Sequence, residues 1–266
     1  MRLKQLIKIL AILALSIFFT ACNESKKETR YKATLPMPEW DGEINKLGKI
    51  GLLYDSENNP IIASKVGFIY SEELKDYDKA IQWYKYSNSM KPMPDNSNYM
   101  CYAYQMKKEY EEAIKWCENA IELGSDEALF RLGKVNELSK NYDKAITYYK
   151  KLVEKTKDKM AINNIGASYF QLKDYENAEK WYKKAIEEGN LESYQNIATF
   201  YHEGLNDDIK SSAYAIALIN TKYTKNSVLK LLQKEWKIPN EVIRKGYELQ
   251  LNSDEFPIKF KGELGL

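Results

Sequence analysis

A phrase of nine or ten residues recurs four times in this chain: K-D-Y-D-K-A-I-Q-W-Y ends at Tyr84, E-Y-E-E-A-I-K-W-C at Cys117, N-Y-D-K-A-I-T-Y-Y at Tyr149 and D-Y-E-N-A-E-K-W-Y at Tyr182. Its alanines, Ala80, Ala113, Ala145 and Ala178, stand 33, 32 and 33 positions apart. A period of that length is the length of a helical hairpin, and a hairpin repeated end to end buries its apolar face only against its neighbours. The expectation is an all-α, right-handed solenoid of antiparallel helix pairs, with a divergent helix in front and capping helices behind.

The clearest unit reads as one helix over Ala161 to Leu172, a turn at Lys173-Asp174, and a second helix from Tyr175 to Glu188 closed by Gly189. Gly166 lies twelve residues before Ala178, and Gly133 twelve before Ala145. Each hairpin thus carries small residues on both facing helices, where the axes come closest. Tyr149 and Tyr182 follow their alanines by four, on the same helical face, and are expected to fill the gap against the next hairpin.

These residues resemble the tetratricopeptide repeat over roughly residues 60 to 205. The pattern is carried by Leu132, Gly133, Ala145 and Tyr149, then by Ile165, Gly166, Tyr169, Ala178 and Tyr182. Cys101 stands where the second unit would hold glycine, Asn136 replaces a tyrosine in the third, and the first has one extra residue between Gly67 and Ala80. After Gly189, the run Ser193 to Gly204 followed by Asp208 to Ala215 resembles the related Sel-one-like repeat, whose loop is slightly longer. The organisation expected is a signal peptide over 1–21, a flexible tether over 22–40, a helical-repeat array over 41–207, a Sel-one-like C-terminal cap over 208–252, and a surface tail over 253–266. Trp40 to Tyr54 reads as a divergent opening helix despite three nearby glycines.

At the front, Arg2, Lys4 and Lys8 surround and precede an apolar stretch, Ile9 to Phe19, too short to span a bilayer and built like a secretory signal. Its end, Phe19-Thr20-Ala21-Cys22, resembles the bacterial lipobox, with an ordinary cleaved signal or an uncleaved anchor as the alternatives. That resemblance implies that Cys22 is acylated and that the chain is held on a membrane by several acyl chains. Asn23 after it implies the outer membrane of a Gram-negative envelope, facing the periplasm; a Gram-positive host would put the domain outside the cell. The polar run Asn23 to Arg30 carries no apolar periodicity and reads as a spacer.

Of 40 basic residues, Arg2, Lys4 and Lys8 fall in the signal, leaving 37 against 38 acidic ones. Near-neutrality, with Lys and Glu alternating along the helices, implies no polyanionic partner and no nucleic acid. The chain has one histidine, His202, and neither a G-x-S-x-G elbow, a metal-ligand cluster nor a glycine-rich phosphate loop. The expectation is a non-enzymatic protein with no cofactor, no metal and no small-molecule substrate.

Cys101 and Cys117 fall at the small-residue place of one helix and the large-residue place of its partner. They either form a disulfide worth about 3 kcal/mol in loop-closure entropy, or are two buried small hydrophobes. Counting back from each alanine, the inner face of the array holds Asn98, Tyr102 and Gln105, then Phe130, Lys134 and Glu137. Asn163, Ala167 and Phe170 follow, then Gln195, Thr199 and His202. Aromatic rings among amides and charges suit a protein or peptide partner. Short lipoproteins of this kind also resemble periplasmic immunity proteins that occlude secreted antibacterial toxins, which is the alternative reading of function.

Overall fold

The computed structural model describes residues 31–39 and 42–266, and these form helices joined by short turns. The expected signal peptide, Cys22 and residues 23–30 lie outside the described residues. In place of one opening helix stand two short ones, α1 (Glu43–Lys46) and α2 (Gly51–Asp55), followed by a 3-10 turn at Ser56–Asn58. Gly48, at φ +68°, breaks the chain between them.

Five hairpins follow: α3 (Pro60–Glu72) with α4 (Tyr77–Met90), α5 (Pro94–Met106) with α6 (Tyr110–Glu122), α7 (Glu127–Leu138) with α8 (Tyr142–Thr156), α9 (Lys159–Gln171) with α10 (Tyr175–Glu187), and α11 (Leu191–Thr199) with α12 (Asp208–Ala217). The recurring phrase has a local cause. In two of its four copies the aspartate is a helix N-cap, Asp76 accepting from the Lys79 backbone N–H at 3.0 Å and Asp174 from Asn177 at 3.2 Å; outside the phrase, Asp207 does the same for Lys210 at 3.0 Å. Just before each second helix the chain turns through a left-handed residue, Lys75, Lys108, Lys140, Lys173 or Asn206, with φ between 53° and 63°. One such residue reverses the chain in three or four positions, so the hairpins stay tight.

The small-residue rule acts through a ring. A Cβ on Gly67, Gly133 or Gly166 would lie 2.5–2.8 Å from Tyr84, Tyr149 or Tyr182 respectively. Each tyrosine ring therefore packs against the glycine of its own hairpin, and does not only reach for the next one. In the second hairpin Cys101 and Cys117, both fully buried, occupy these two slots and are joined as a disulfide with Cα atoms 5.1 Å apart.

Beyond α12 come α13 (Lys225–Lys230), which runs on into a π-helical turn at Leu231–Glu235, and α14 (Asn240–Asn252) laid along α12. The tail differs from the expectation of a free surface segment. Residues 253–266 are without helix, yet Phe256, Phe260 and Leu264 are buried and join the C-terminal core. Buried Gln250 donates to the Phe260 carbonyl at 2.7 Å and accepts from its N–H at 3.0 Å. Glu255 accepts from the Tyr214 hydroxyl at 2.6 Å and pairs with Lys183 at 2.7 Å. An open solenoid end leaves apolar surface uncovered, and these side chains cover it.

The described part of the tether also differs from a free spacer. Ala33 packs on the core of the first two hairpins, the Leu35 N–H donates to Ser89 at 3.3 Å, and Lys91 sits 5.7 Å from the centre of the Tyr31 ring. Residues 31–39 thus lie against the first hairpin. Among the described residues no helix is long and apolar enough to cross a membrane.

Candidate binding groove

The first helices α3, α5, α7, α9 and α11 line one side of the array, and their slots are best counted from the small residue at the crossing. Three residues before it stand Asn98, Phe130 and Asn163. Asn98 and Asn163 are buried, so neither is a free ligand contact. Asn98 Oδ1 accepts from Arg131 Nε at 2.9 Å, and Asn163 Oδ1 accepts from Asn196 Nδ2 at 3.0 Å and Ser193 Oγ at 2.9 Å. The same slot in two hairpins makes the same bond to the next hairpin, so these amides fix the stacking of the array.

The residues that face outward sit two before the crossing residue or just after it. Tyr102 is half-buried, and the Arg131 guanidinium lies 5.0 Å from its ring centre. Tyr77 meets the Tyr102 ring edge-on at 6.2 Å, and Tyr99 lies 5.8 Å from exposed Phe68. Arg131 uses Nε for Asn98, and its nearest carboxylate, Glu127, is 3.9 Å away, beyond hydrogen-bond reach. Its four terminal N–H groups thus have no hydrogen-bond partner among the described residues. Burial pulls this guanidinium below its ordinary value, opposed by the fields of Glu127, Tyr102, Tyr99 and Glu72. Burial likewise raises Tyr99 and Tyr102, which stay neutral donors.

Phe68, Tyr99 and Arg131 were not among the residues expected to bind. Arg131 is two before Gly133 and Tyr99 two before Cys101, while Phe68 follows Gly67 as Tyr102 follows Cys101. That step of two was the available signal.

The other expected residues are dispersed. Gln105 is half-buried, and its Oε1 is buried without a partner. Lys134 pairs with Glu137 at 2.8 Å, and Glu137 also accepts from Tyr149 at 3.0 Å. Phe130 packs on Tyr149, with centroids 5.7 Å apart, and Ala167 is half-buried. Phe170 is held by Phe200 at 5.6 Å and Tyr175 at 6.1 Å, so it is chiefly a packing residue. Gln195 is exposed, whereas the Thr199 hydroxyl donates back to the Gln195 carbonyl at 3.1 Å. His202 bonds Asp208 at 2.6 Å and stacks on Trp236 at 4.6 Å. No group of three or more metal-ligating side chains occurs among the described residues.

The comparisons with known proteins fall on the same hairpins. Tetratricopeptide repeat models match residues 127–155 and 160–188, and the Sel1 repeat model matches 65–90 and 99–125. The Sel1 matches thus cover the first two hairpins, where the sequence pattern read as tetratricopeptide-like, and the first of these carries the extra residue after Gly67. No curated protein matches the chain. Among solved structures, PilF of Pseudomonas aeruginosa is similar at TM-score 0.55 and 14% identity, with 76% of this chain and 96% of that one covered. MamA from Desulfovibrio magneticus RS-1 gives TM-score 0.54 at 15% identity, covering 66% and 96%. YrrB, described as a TPR protein with an unusual peptide-binding site, gives 0.51 at 16%, covering 65% and 93%. At such identities these likenesses concern the fold. Repeats of both kinds are typical protein–protein interaction modules, and the segments matched between Lys65 and Glu188 are Sel1 and tetratricopeptide repeats.

Proposed function

We propose that this chain is a non-enzymatic, lipid-anchored envelope protein that captures a protein or peptide partner on the inner face of its repeat array. One observation carries the reading: Arg131 is locked by Asn98 and Tyr102 across two hairpins, and its terminal N–H groups are left for a ligand. A cation held in place by amide and ring needs little ordering on binding, which is the quality of an interface hot spot. Such a site favours an acidic or carbonyl-rich segment, with Tyr99, Tyr102 and Phe68 gripping its apolar parts. The peptide-binding site named for YrrB lends support by likeness of fold.

Acylation of Cys22 places the groove at one membrane face, in the outer membrane and facing the periplasm if the host is Gram-negative, and limits the partner search to that surface. Cys22→Ser releases the protein to the soluble envelope fraction; retention through acyl chains would defeat the anchor. Affinity capture from the native membranes, with Arg131→Gln and Tyr102→Ala as comparisons, tests the groove. Each variant is expected to lower capture on the order of tenfold or more while circular dichroism stays unchanged. Undiminished capture by both folded variants would refute the assignment, and a secreted antibacterial toxin as the captured protein would identify immunity as the role.

A further inference from the structure

The far end of the inner face holds a second feature that the groove does not use. Ala198, Ala215, Leu218, Val228 and Trp236 wall a cleft of about 210 Å³ between α11, α12 and α13. Ala198 and Ala215 are both buried in its lining, and side chains this small leave space that larger residues would fill. Gln195, Tyr223, Ser227 and Glu235 form the rim. The Tyr223 hydroxyl donates to Gln195 Oε1, so the amide NH₂ of Gln195 remains as a donor.

One π-helical turn lines the cleft, and a second packs against Trp236 through His202. In one, the Trp236 backbone N–H donates to the Leu231 carbonyl five residues back at 2.9 Å; the other, Phe200–Gly204, carries His202, which stacks on the Trp236 indole. Insertions of this kind concentrate at functional sites because they re-aim side chains at a cost in helix regularity. Here Trp236 lines the cleft while its ring stacks on His202.

We propose that this cleft is a specificity pocket that accepts one branched aliphatic or aromatic side chain of the partner, next to a cationic group that pairs with Glu235. The volume sets the occupant's size: sites for whole small molecules run to roughly 300–1,000 Å³, and this one holds a single side chain. Its place sets the source, since exposed Gln195, on the inner-face side of α11, stands on its rim, where a segment held on that face reaches the mouth. Glu235 sets the charge. Its pairing with Lys230 is exposed on both sides and 3.9 Å long, too weak to occupy the carboxylate. The proposal rests on the partner-binding reading and specifies its chemistry.

The test uses the full chain in lipid nanodiscs, labelled with 5-fluorotryptophan, and follows the Trp236 ¹⁹F resonance, assigned through Trp236→Phe. Leucinamide is expected to shift it saturably with Kd on the order of millimolar, as the size of so small a ligand dictates. N-acetyl-leucinamide, without the ammonium group, should bind about threefold more weakly or worse, and Glu235→Gln should erase that difference. Ser227→Phe, at an exposed position, should abolish both. No shift with either probe, or shifts that persist in Ser227→Phe, would overturn the pocket. Equal binding of the two probes would overturn the role of Glu235. If the probes fail while Arg131→Gln still loses the partner, the pocket falls and the groove stands.

Discussion

Replacing Gly246 by alanine isolates the contact that fastens the C-terminal cap. A Cβ built there lies 2.6 Å from Ser212 Cβ, 2.7 Å from the Ile209 carbonyl oxygen and 2.9 Å from the Ala213 nitrogen. Ordinary carbon contacts sit at about 3.5–4.0 Å. Two of the three obstructing atoms are backbone, so no side chain can swing away, and α14 must retreat from α12 by nearly an ångström along a closely packed face. Overpacking of this kind costs up to about 3 kcal/mol. The better helix propensity of alanine returns about 1 kcal/mol, for a net loss near 2 kcal/mol.

The loss should be local, because a solenoid end unfastens before its middle does. Hydrogen exchange is expected to accelerate in α14 and in residues 253–266, while α5–α8 keep their protection. Urea unfolding should show the end module lost at lower denaturant. Gly51→Ala supplies the opposite sign: this helical glycine has negative φ and nothing within 4 Å of its would-be Cβ, so alanine should stabilise by up to about 1 kcal/mol. Wild-type exchange rates in Gly246→Ala, or a loss of stability in Gly51→Ala, would refute the packing argument.

Three further outcomes follow from other contacts. Cys101→Ser with Cys117→Ser should lower stability by about 2–4 kcal/mol, and Cys101→Gly with Cys117→Tyr should recover part of it by restoring the glycine–tyrosine contact of the other hairpins, both read from urea melts. Lys173→Gly should raise the melting temperature slightly, since Lys173 holds φ +61° at a cost of about 1–2 kcal/mol that exceeds the entropy cost of glycine. Acid should unfasten the tail: burial pushes Glu255 up, but Lys183 and the Tyr214 hydroxyl outweigh it and hold the carboxyl below its ordinary value. That stability is complete above the unfolded value near 4.3 and is lost as pH falls below it through the folded value, so limited proteolysis should cut residues 253–266 only under acid conditions.

Much of the fold was legible because periodicity reports burial directly. The alanines at 33, 32 and 33, the glycines twelve before two of them and the turn at Lys173-Asp174 all mark real features of the hairpins. What the pattern could not convey is which partner a small residue meets. Gly133 and Ala145 share a crossing, yet the atom that forbids a side chain on Gly133 belongs to Tyr149. The inner face suffered from the same limit. Asn98 and Asn163 lie on the correct side of their helices, but a helix face turned toward a groove is also turned toward the next helix, and a short amide there bonds its neighbour first. The tail was illegible for another reason: Phe256, Phe260 and Leu264 are spaced four apart without helix, and their burial depends on an exposed solenoid end that only the assembled array creates.

The slot just after the crossing residue describes the inner face as a sequence of surfaces: Phe68, Tyr102, Lys134, Ala167 and Thr199 in successive hairpins. Two rings give way to a cation, then to a methyl group and a hydroxyl. Large side chains therefore crowd the first three hairpins, and the floor opens at the fourth. The slot two before the crossing follows suit, with Tyr99 and Arg131 giving way to Asn164 and Asn196. Both rows put the aromatic and guanidinium groups on or beside the disulfide hairpin, whose two helices are joined covalently at Cys101, the residue before Tyr102. A cation–ring pair is sensitive to displacement of either member, and a hairpin held by a disulfide has less freedom to spread than one held by a ring on a glycine. The covalent link thus stands where a preorganised Arg131 gains most from rigidity, and the variants that break it are expected to weaken partner capture as well as stability.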